Sequence, residues 1–288
     1  MLERLASSEF RPALVVTPPD RRQGRGRRLA PPPAATAART LGLEVLQAES
    51  VNDPEARERI AAADPEVGMV CAFGQLIREP LLSDLELLNV HPSLLPRWRG
   101  AAPIARAIMA GDAETGVTLM RLTEGLDSGP IALQRTEPIF DDDNYGSLAG
   151  RLAALGGELA LQALELRRDG NLELTEQDDS LATYADKIAP SERRLDPVSP
   201  AAELARVVRA LTPRVGAYLE LEGGDRLGVT AAVAEEGELG PGRLEASDGE
   251  LRLGCAEGML RLDAVQPPGK RSMPVDAYLR GHPVPRLP

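Results

Sequence analysis

Short apolar stretches alternate with helix-length segments along the first two thirds of the chain. Mainly apolar segments of four to six residues occur at 13–17, 43–46, 67–72 and 85–90, and segments of this kind are typical of buried strands. The alternation predicts an α/β fold with an open, mostly parallel Rossmann-like sheet, because each helix supplies the crossover between two parallel strands. A further strand is predicted at 116–122, and helices are predicted at 2–7, 34–41, 53–63, 102–110 and 144–168.

The pattern changes after residue 186. Pro190, Pro197 and Pro200 interrupt a polar stretch, which indicates a linker over residues 187–200. A helix at 201–211 is followed by short strands between glycine-rich and acidic turns, and this spacing is typical of a small OB-like β-barrel. The predicted strands are 215–221, 226–232, 242–246, 251–255 and 259–265. We therefore predict domains at residues 1–186 and 201–288, joined by the linker.

Composition excludes several classes of protein. The net charge of -11 argues against a surface that binds nucleic acid throughout, although a local basic patch remains compatible with it. The two cysteines, Cys71 and Cys255, are far apart and in no metal-binding spacing, so we expect neither a disulfide framework nor a metal site. No apolar run approaches the ~20 residues of a membrane helix. We expect a cytoplasmic monomer without a membrane partner.

Five arginines lie within the eight residues from 21 to 28. The segment contains Gly24 and Gly26, but it is not a dinucleotide-binding fingerprint because Leu29 occupies the third glycine position. Taken alone, such a segment is usually a solvated run of charge. Arginines separated by flexible glycines are also suited to contacting phosphates.

Asn89 and His91 are the first candidates for chemistry. They lie two residues apart on a predicted strand, so both side chains share one face of the sheet. They also fall at the carboxyl end of that strand, where open α/β sheets bind ligands. An isolated Asn-x-His would be interpreted as a buried polar pair. Asp127, between Gly125 and Gly129, would likewise be interpreted as an ordinary turn residue.

Longer segments resemble one family. Residues 88–103 read Leu-Asn-Val-His-Pro-Ser-Leu-Leu-Pro-Arg-Trp-Arg-Gly-Ala-Ala-Pro, which resembles the signature of the folate-dependent formyltransferases. The second half of this segment is similar to the methionyl-tRNA branch of the family. Asp127 occupies the position of the family's essential aspartate. Residues 182–188 and 266–273 resemble the family's entry into the C-terminal domain and its final barrel turn.

The resemblance implies a reaction and a site. The reaction is transfer of a formyl group from 10-formyltetrahydrofolate to the methionine amino group of initiator Met-tRNA, in translation initiation. Asn89 is expected to stabilise the oxyanion, His91 to act as acid and base, and Asp127 to orient His91 and relay a proton. The folate is expected to contact Phe73, Gly74, Gln75, Ser93, Leu94, Leu95 and Pro96. The expected tRNA contacts in the acceptor stem are Arg21, Arg22, Arg25, Arg27 and Arg28.

The chain departs from the family pattern at its beginning. The family opens with a hydrophobic strand and a glycine-containing loop, whereas this sequence starts inside the helix that follows them. We therefore expect a sheet that lacks a central strand, owing either to a start further upstream or to a real loss. Two alternative functions remain: a sugar-amine formyltransferase, which also carries a C-terminal barrel, and a catalytically impaired tRNA-binding relative.

Overall fold

The order of helices and strands follows the predicted alternation. A computed structural model describes residues 1–23 and 28–288. The helices are α1 (Leu2–Ala6), α2 (Pro33–Thr40), α3 (Pro54–Ala62), α4 (Leu81–Asp84), α5 (Pro103–Ala110), α6 (Tyr145–Arg168), α7 (Ala201–Leu211) and α8 (Val275–Gly281). The strands of the first half are β1 (Leu14–Thr17), β2 (Arg21–Gln23), β3 (Arg28–Ala30), β4 (Glu44–Gln47), β5 (Gly68–Val70), β6 (Leu87–His91), β7 (Arg99–Gly100), β8 (Glu114–Arg121) and β9 (Ile131–Pro138). The remaining strands are β10 (Tyr184–Ala185), β11 (Ala217–Glu220), β12 (Arg226–Glu235), β13 (Leu244–Ser247), β14 (Glu250–Gly254), β15 (Met259–Gln266) and β16 (Met273–Pro274).

The chain forms two compact units. The first contains residues 1–99, 116–137 and 151–184. Within it β1 pairs in parallel with β4, β5 pairs in parallel with β6, and the second sheet continues in the order β5-β6-β8-β9. Strand β8 runs antiparallel to β6. The predicted α/β class is confirmed. Strand β9 was not predicted, because only its first residues are apolar and most of its side chains are exposed or half-buried.

Close packing of a helix against β6 fixes which face of the strand carries Asn89 and His91. Leu88 and Val90 are buried, and a Cβ atom placed on Gly156 of α6 would lie 2.8 Å from the Val90 side chain. Only glycine lets the helix approach this closely. Because side chains alternate along a strand, the packing of Val90 leaves Asn89 and His91 on the opposite face.

An apolar groove separates the two parallel pairs of the first unit. Within residues 1–23 and 28–288, β1 pairs with β4 alone and no pairing joins β5 to β1, and β1 and β5 line the same cavity of about 670 Å³. Met1 also lines it. The expectation that the sheet lacks a central strand stays a prediction. Apolar lining residues include Leu2, Leu5, Phe10, Val15, Val16, Met69 and Val70.

The second unit contains residues 100–115, 138–150 and 185–288. Its antiparallel sheet has the order β11-β12-β15-β14-β13, with β16 paired to β15. Helix α7 packs into the same core as these strands. The predicted C-terminal antiparallel strands are confirmed. The three-part domain division stays a prediction, because the compact unit also includes 100–115 and 138–150. No helix within the described ranges, 1–23 and 28–288, is long and apolar enough to cross a membrane.

Filling the groove is expected to stabilise the first unit. The test adds five or six apolar residues with high strand propensity before Met1. Because Met1 lines the groove, such an extension would begin inside it. Each buried aliphatic side chain contributes ~1.5–3 kcal/mol, but ordering each residue costs ~1–2 kcal/mol, which leaves a net gain of about 2–3 kcal/mol. The unfolding transition of the first unit should therefore rise by roughly 5–10 °C. Differential scanning calorimetry measures the change. An extension of equal length made of glutamate and serine is the control, and an equal rise with that control would contradict the prediction.

Candidate active site

The structure brings Asn89, His91 and Asp127 together. Strand β6 carries the first two, and Asp127 lies in the loop between β8 and β9. The Asn89 Nδ2 atom donates to Asp127 Oδ1 at 3.4 Å, and His91 Nδ1 lies 3.5 Å from Asp127 Oδ2. The side chain of His91 is 5 % exposed and that of Asp127 is 15 % exposed. Three polar groups thus meet at a largely desolvated point on the sheet.

A backbone contact selects the tautomer of His91. The His91 Nε2 atom lies 2.9 Å from the carbonyl oxygen of Trp98. A carbonyl only accepts hydrogen bonds, so Nε2 carries a hydrogen and donates it. The nitrogen left to exchange a proton is therefore Nδ1, which faces Asp127. The geometry suits a histidine that moves a proton between a substrate and a carboxylate.

The Asp127 loop has a demanding backbone. Asp127 has a φ of +47°, in the left-handed region that non-glycine residues rarely adopt. Two residues later, a Cβ atom on Gly129 would lie 1.9 Å from the carbonyl oxygen of Arg121. Glycine at 129 is therefore required for the loop to pass beside the end of β8. The loop turns back sharply enough to aim the Asp127 carboxylate at β6.

The proline-containing loop after β6 is held by a buried hydroxyl. The Thr118 Oγ1 atom donates to the carbonyl of Ser93 at 2.7 Å and accepts from the backbone N–H of Leu95 at 3.0 Å. Gln134 Nε2 donates to the same hydroxyl at 2.8 Å and to the Leu95 carbonyl at 2.9 Å. The side chains of Ser93 and Leu95 are themselves buried. They therefore maintain the shape of the loop, while Leu94 and Pro96 are only half-buried.

The loop after β5, with Phe73, Gly74 and Gln75, is held by two side-chain amides. Gln75 Nε2 donates to the Ala48 carbonyl at 3.0 Å, and its Oε1 accepts from the Val51 N–H at 2.9 Å. Asn52 bonds the backbone of the same loop, at the Leu76 carbonyl and the Arg78 N–H. Phe73 packs into an apolar cluster with Val51 and Ile77. Gly74 is exposed at a φ of +74°. The loop presents its backbone rather than the Gln75 amide.

The arginine segment lies on a separate element. Strands β2 and β3 form an antiparallel hairpin, with Arg22 opposite Leu29. Arg21, Arg22 and Arg28 belong to its strands, and the first two are exposed. Arg25 and Arg27 lie outside the residues that the structure describes. The flanks of the predicted basic loop are thus ordered strands that carry three of the five arginines.

Several residues that support the site were not identified from the sequence. Thr118 stands opposite His91 in the antiparallel register of β6 and β8, but a threonine within a buried strand gives no local signal of function. Gln134 and Asn52 also lack such a signal, because their partners are distant in sequence. Within the described parts of the chain, no group of three or more His, Cys, Asp or Glu residues could hold a metal ion.

Comparison with known proteins identifies the class as formyl transferases. A model of the formyl transferase domain matches residues 2–164, and one of the formyl transferase C-terminal domain matches residues 187–283. The chain belongs to this family, and the resemblance noted from the sequence is confirmed. This chain is 44 % identical to a methionyl-tRNA formyltransferase of Methylococcus capsulatus, over 98 % of this chain and 92 % of the relative. It is 41 % identical to a methionyl-tRNA formyltransferase of Methylobacillus flagellatus, over 98 % of this chain and 92 % of that relative.

Solved structures share the fold at lower identity. HypX from Aquifex aeolicus, in complex with tetrahydrofolic acid, has a TM-score of 0.59 at 23 % identity and covers 77 % of this chain and 40 % of its own. An N-formyltransferase from Helicobacter canadensis, in complex with folinic acid and dTDP-3-aminofucose, has a TM-score of 0.67 at 16 % identity. The match covers 91 % of this chain and 93 % of that enzyme. These likenesses establish the fold.

Thr118→Val is expected to loosen the loop of residues 93–96. The substitution keeps the side-chain shape but removes a hydroxyl that makes three hydrogen bonds, two of them buried and one partly buried. Stranded donors cost ~1–3 kcal/mol of unfolding free energy, measured by urea denaturation. Thr118→Ser retains the hydroxyl and should lose less than half as much. Equal losses in the two variants would show that the hydroxyl contributes little.

Proposed function

We propose that this chain transfers the formyl group of 10-formyltetrahydrofolate to the methionine amino group of initiator Met-tRNA. The observation that carries the proposal is the convergence of Asn89, His91 and Asp127 in a chain 44 % identical to a methionyl-tRNA formyltransferase. The bound folates named for HypX and the Helicobacter canadensis enzyme support the choice of donor. We place the reaction in translation initiation, in a cytoplasmic monomer without a membrane partner.

Asn89 is suited to stabilise charge on the formyl oxygen. Its amide carries two hydrogens, and one of them is directed to Asp127 Oδ1 at 3.4 Å. The other can donate to the oxygen on which negative charge develops as the amine attacks. The contact with Asp127 fixes the amide plane in advance, so the donor need not reorganise during the reaction.

His91 and Asp127 together hold the proton that the reaction must move. The attacking amine loses a proton, and the nitrogen that leaves the formyl carbon gains one. His91 can accept and return this proton at Nδ1, because Nε2 is committed to the Trp98 carbonyl. Asp127, 3.5 Å from Nδ1, stabilises the imidazole while it carries the extra proton. One residue pair therefore serves both proton transfers.

The residues present fit a folate. The cosubstrate supplies an activated formyl carbonyl, and a flat ring system needs a wall of backbone and apolar groups. The Phe73–Gly74–Gln75 loop presents exposed backbone at Gly74, and Leu94 and Pro96 present half-buried apolar side chains. Ser93 and Leu95 act from beneath, through the hydrogen bonds that hold their loop.

The arginine hairpin is the proposed tRNA contact. Arg21 and Arg22 are exposed cations in a chain whose net charge is -11, so the positive charge is local. Together with Arg25, Arg27 and Arg28 they would neutralise phosphates of the acceptor stem. This hairpin and the names of the two relatives favour Met-tRNA over a sugar amine as the acceptor.

Removing either member of the proton-relay pair is expected to abolish most of the activity. His91→Ala and Asp127→Ala should each lower kcat for Met-tRNA formylation by ~10²–10⁴-fold, which is the range for a lost acid or base. His282→Ala is the matched control, because the chain has two histidines and His282 stacks on Tyr278 far along the sequence. Near-normal kcat in either site variant would contradict the assignment. A wild-type chain that binds tRNA without formylating it would indicate the impaired relative.

Serine substitutions in the hairpin are expected to weaken tRNA binding alone. The triple variant Arg21→Ser, Arg22→Ser, Arg28→Ser should raise KM for Met-tRNA and reduce the slope of log KM against log salt by up to ~0.9 for each phosphate that is no longer neutralised. The KM for the folate should stay unchanged. A control triple variant replaces exposed arginines elsewhere: Arg59, Arg243 and Arg280. A reduced folate affinity with an unchanged salt slope would reject the assignment.

A further inference from the structure

The side chain of Gln177 holds the loop that presents Asp127. Its Nε2 atom donates to the Asp127 carbonyl at 2.9 Å and to the Gly129 carbonyl at 2.7 Å. Both hydrogens of the amide are used, one on each side of the turn. Gln177 comes from the segment after α6, fifty residues further along the chain than Asp127. The turn is therefore fastened from outside its own sequence.

Arg99 fixes which way the Gln177 amide points. The Gln177 Oε1 atom accepts from Arg99 Nε at 3.0 Å and from Arg99 Nη2 at 2.7 Å. A guanidinium only donates, so the amide oxygen must face Arg99 and the amide nitrogen must face the loop. Arg99 is itself buried, with its side chain 4 % exposed, and it also pairs with Asp179 at 2.7 Å. The two donors of Arg99 thus determine the orientation of the Gln177 amide.

The held turn is the one whose backbone is under strain. In the left-handed region the Cβ atom of a non-glycine residue lies close to the following carbonyl oxygen, so the backbone of Asp127, at a φ of +47°, tends to relax. Hydrogen bonds to residues 127 and 129 oppose that relaxation. Arg99 also directly follows Trp98, whose carbonyl oxygen orients His91. Gln177 is therefore bonded to the loop that carries Asp127, and Arg99 is the neighbour in sequence of the residue that orients His91.

We infer that Gln177 is a positioning residue for the formyl transfer. It keeps the Asp127 carboxylate within reach of Asn89 and His91, and it does so through the backbone of residues 127 and 129. The inference rests on the proposed function for its kinetic test, but the geometry it describes can be measured without activity. A merely structural Gln177 would serve only to satisfy the buried Arg99 guanidinium.

Gln177→Glu separates the two roles. The substitution keeps an oxygen for Arg99 and removes both donors to the loop, placing a carboxylate against two carbonyl oxygens. A structural role predicts little change, because a carboxylate is a good partner for a guanidinium. A positioning role predicts that kcat for Met-tRNA formylation falls by ~10–100-fold, as a small displacement of a catalytic group does. Both KM values should change by less than about threefold.

Two further variants remove ambiguity. Gln177→Met fills similar space without an amide, and kcat should fall in it too if loss of the donors is the cause. Gln162→Glu is the matched control, because Gln162 is a residue of α6 whose amide oxygen accepts from Arg135 in a solvent-exposed pair. Normal kcat is expected for this control. Normal kcat in both Gln177 variants would overturn the inference.

A double-mutant cycle tests the route through Asp127. If Gln177 acts by positioning Asp127, then Gln177→Glu should cause no further loss of kcat in an Asp127→Ala background. Multiplicative losses would show that Gln177 acts elsewhere. Thermal unfolding of each variant, followed by circular dichroism, accompanies the kinetics.

Imidazole NMR spectra recorded at one fixed pH provide a readout that does not depend on turnover. The chain has two histidines, so the His282→Ala variant assigns the His91 resonances directly. In Gln177→Glu the His91 chemical shifts should move toward those of Asp127→Ala, because the carboxylate beside Nδ1 is displaced in the first variant and removed in the second. Chemical shifts that coincide with those of the wild type would reject the inference. If the wild type formylates no Met-tRNA but the His91 shifts differ as expected, the proposed function fails and the positioning role of Gln177 stands.

Discussion

The alternation of side chains along β6 is the constraint on which the site depends. Leu88 and Val90 are buried, and α6 can approach Val90 because Gly156 has no side chain. With that face committed to the core, Asn89 and His91 project from the other face. A shift of one residue in register would turn Asn89 and His91 toward α6 and turn Leu88 and Val90 toward Asp127. The packing of β6 against α6 therefore sets which face of the strand carries Asn89 and His91.

Around this strand, the loops that complete the site are held by neutral amides and a hydroxyl. Gln75 fastens the loop after β5, Gln134 and Thr118 fasten residues 93–95, and Gln177 fastens the Asp127 turn. Neutral donors bind carbonyl oxygens without adding charge near His91 and Asp127, which suits the proposed transfer of a proton between them. The nearby cation, Arg99, is bonded to Gln177 and Asp179 rather than to the loop. Neutral groups therefore hold the Asp127 loop, and Gln177 lies between the loop and the cation.

The parts of this arrangement that have local signals are predictable from the sequence. Strand β6 is a mainly apolar segment that ends in Asn89 and His91, and Asp127 occupies the position of the family's essential aspartate in a separate segment. Strand β9 and Gln177 lacked such signals. The first is largely polar because its side chains are mostly exposed, and the second gains its meaning from Arg99 and Gly129, far away in sequence. Contacts that form only after folding cannot be read from spacing, and Gln75, Gln134 and Gln177 all hold their loops through contacts of this kind.

The groove in the first unit affects the loop of Phe73, Gly74 and Gln75 more than it affects Asn89, His91 and Asp127. Among the residues that the structure describes, no backbone pairing joins β1–β4 to β5–β6. Side-chain hydrogen bonds link the carboxyl ends of these strands instead: Gln75 bonds Ala48 and Val51, and Asn52 bonds the loop after β5. Asn89, His91 and Asp127 lie beyond β5, where β6 and β8 are paired directly. Opening of the groove would therefore disturb the loop of Phe73, Gly74 and Gln75 first, because this loop is the element that spans both halves. Under the proposed function, filling of this groove would therefore affect cosubstrate affinity more than the proton relay.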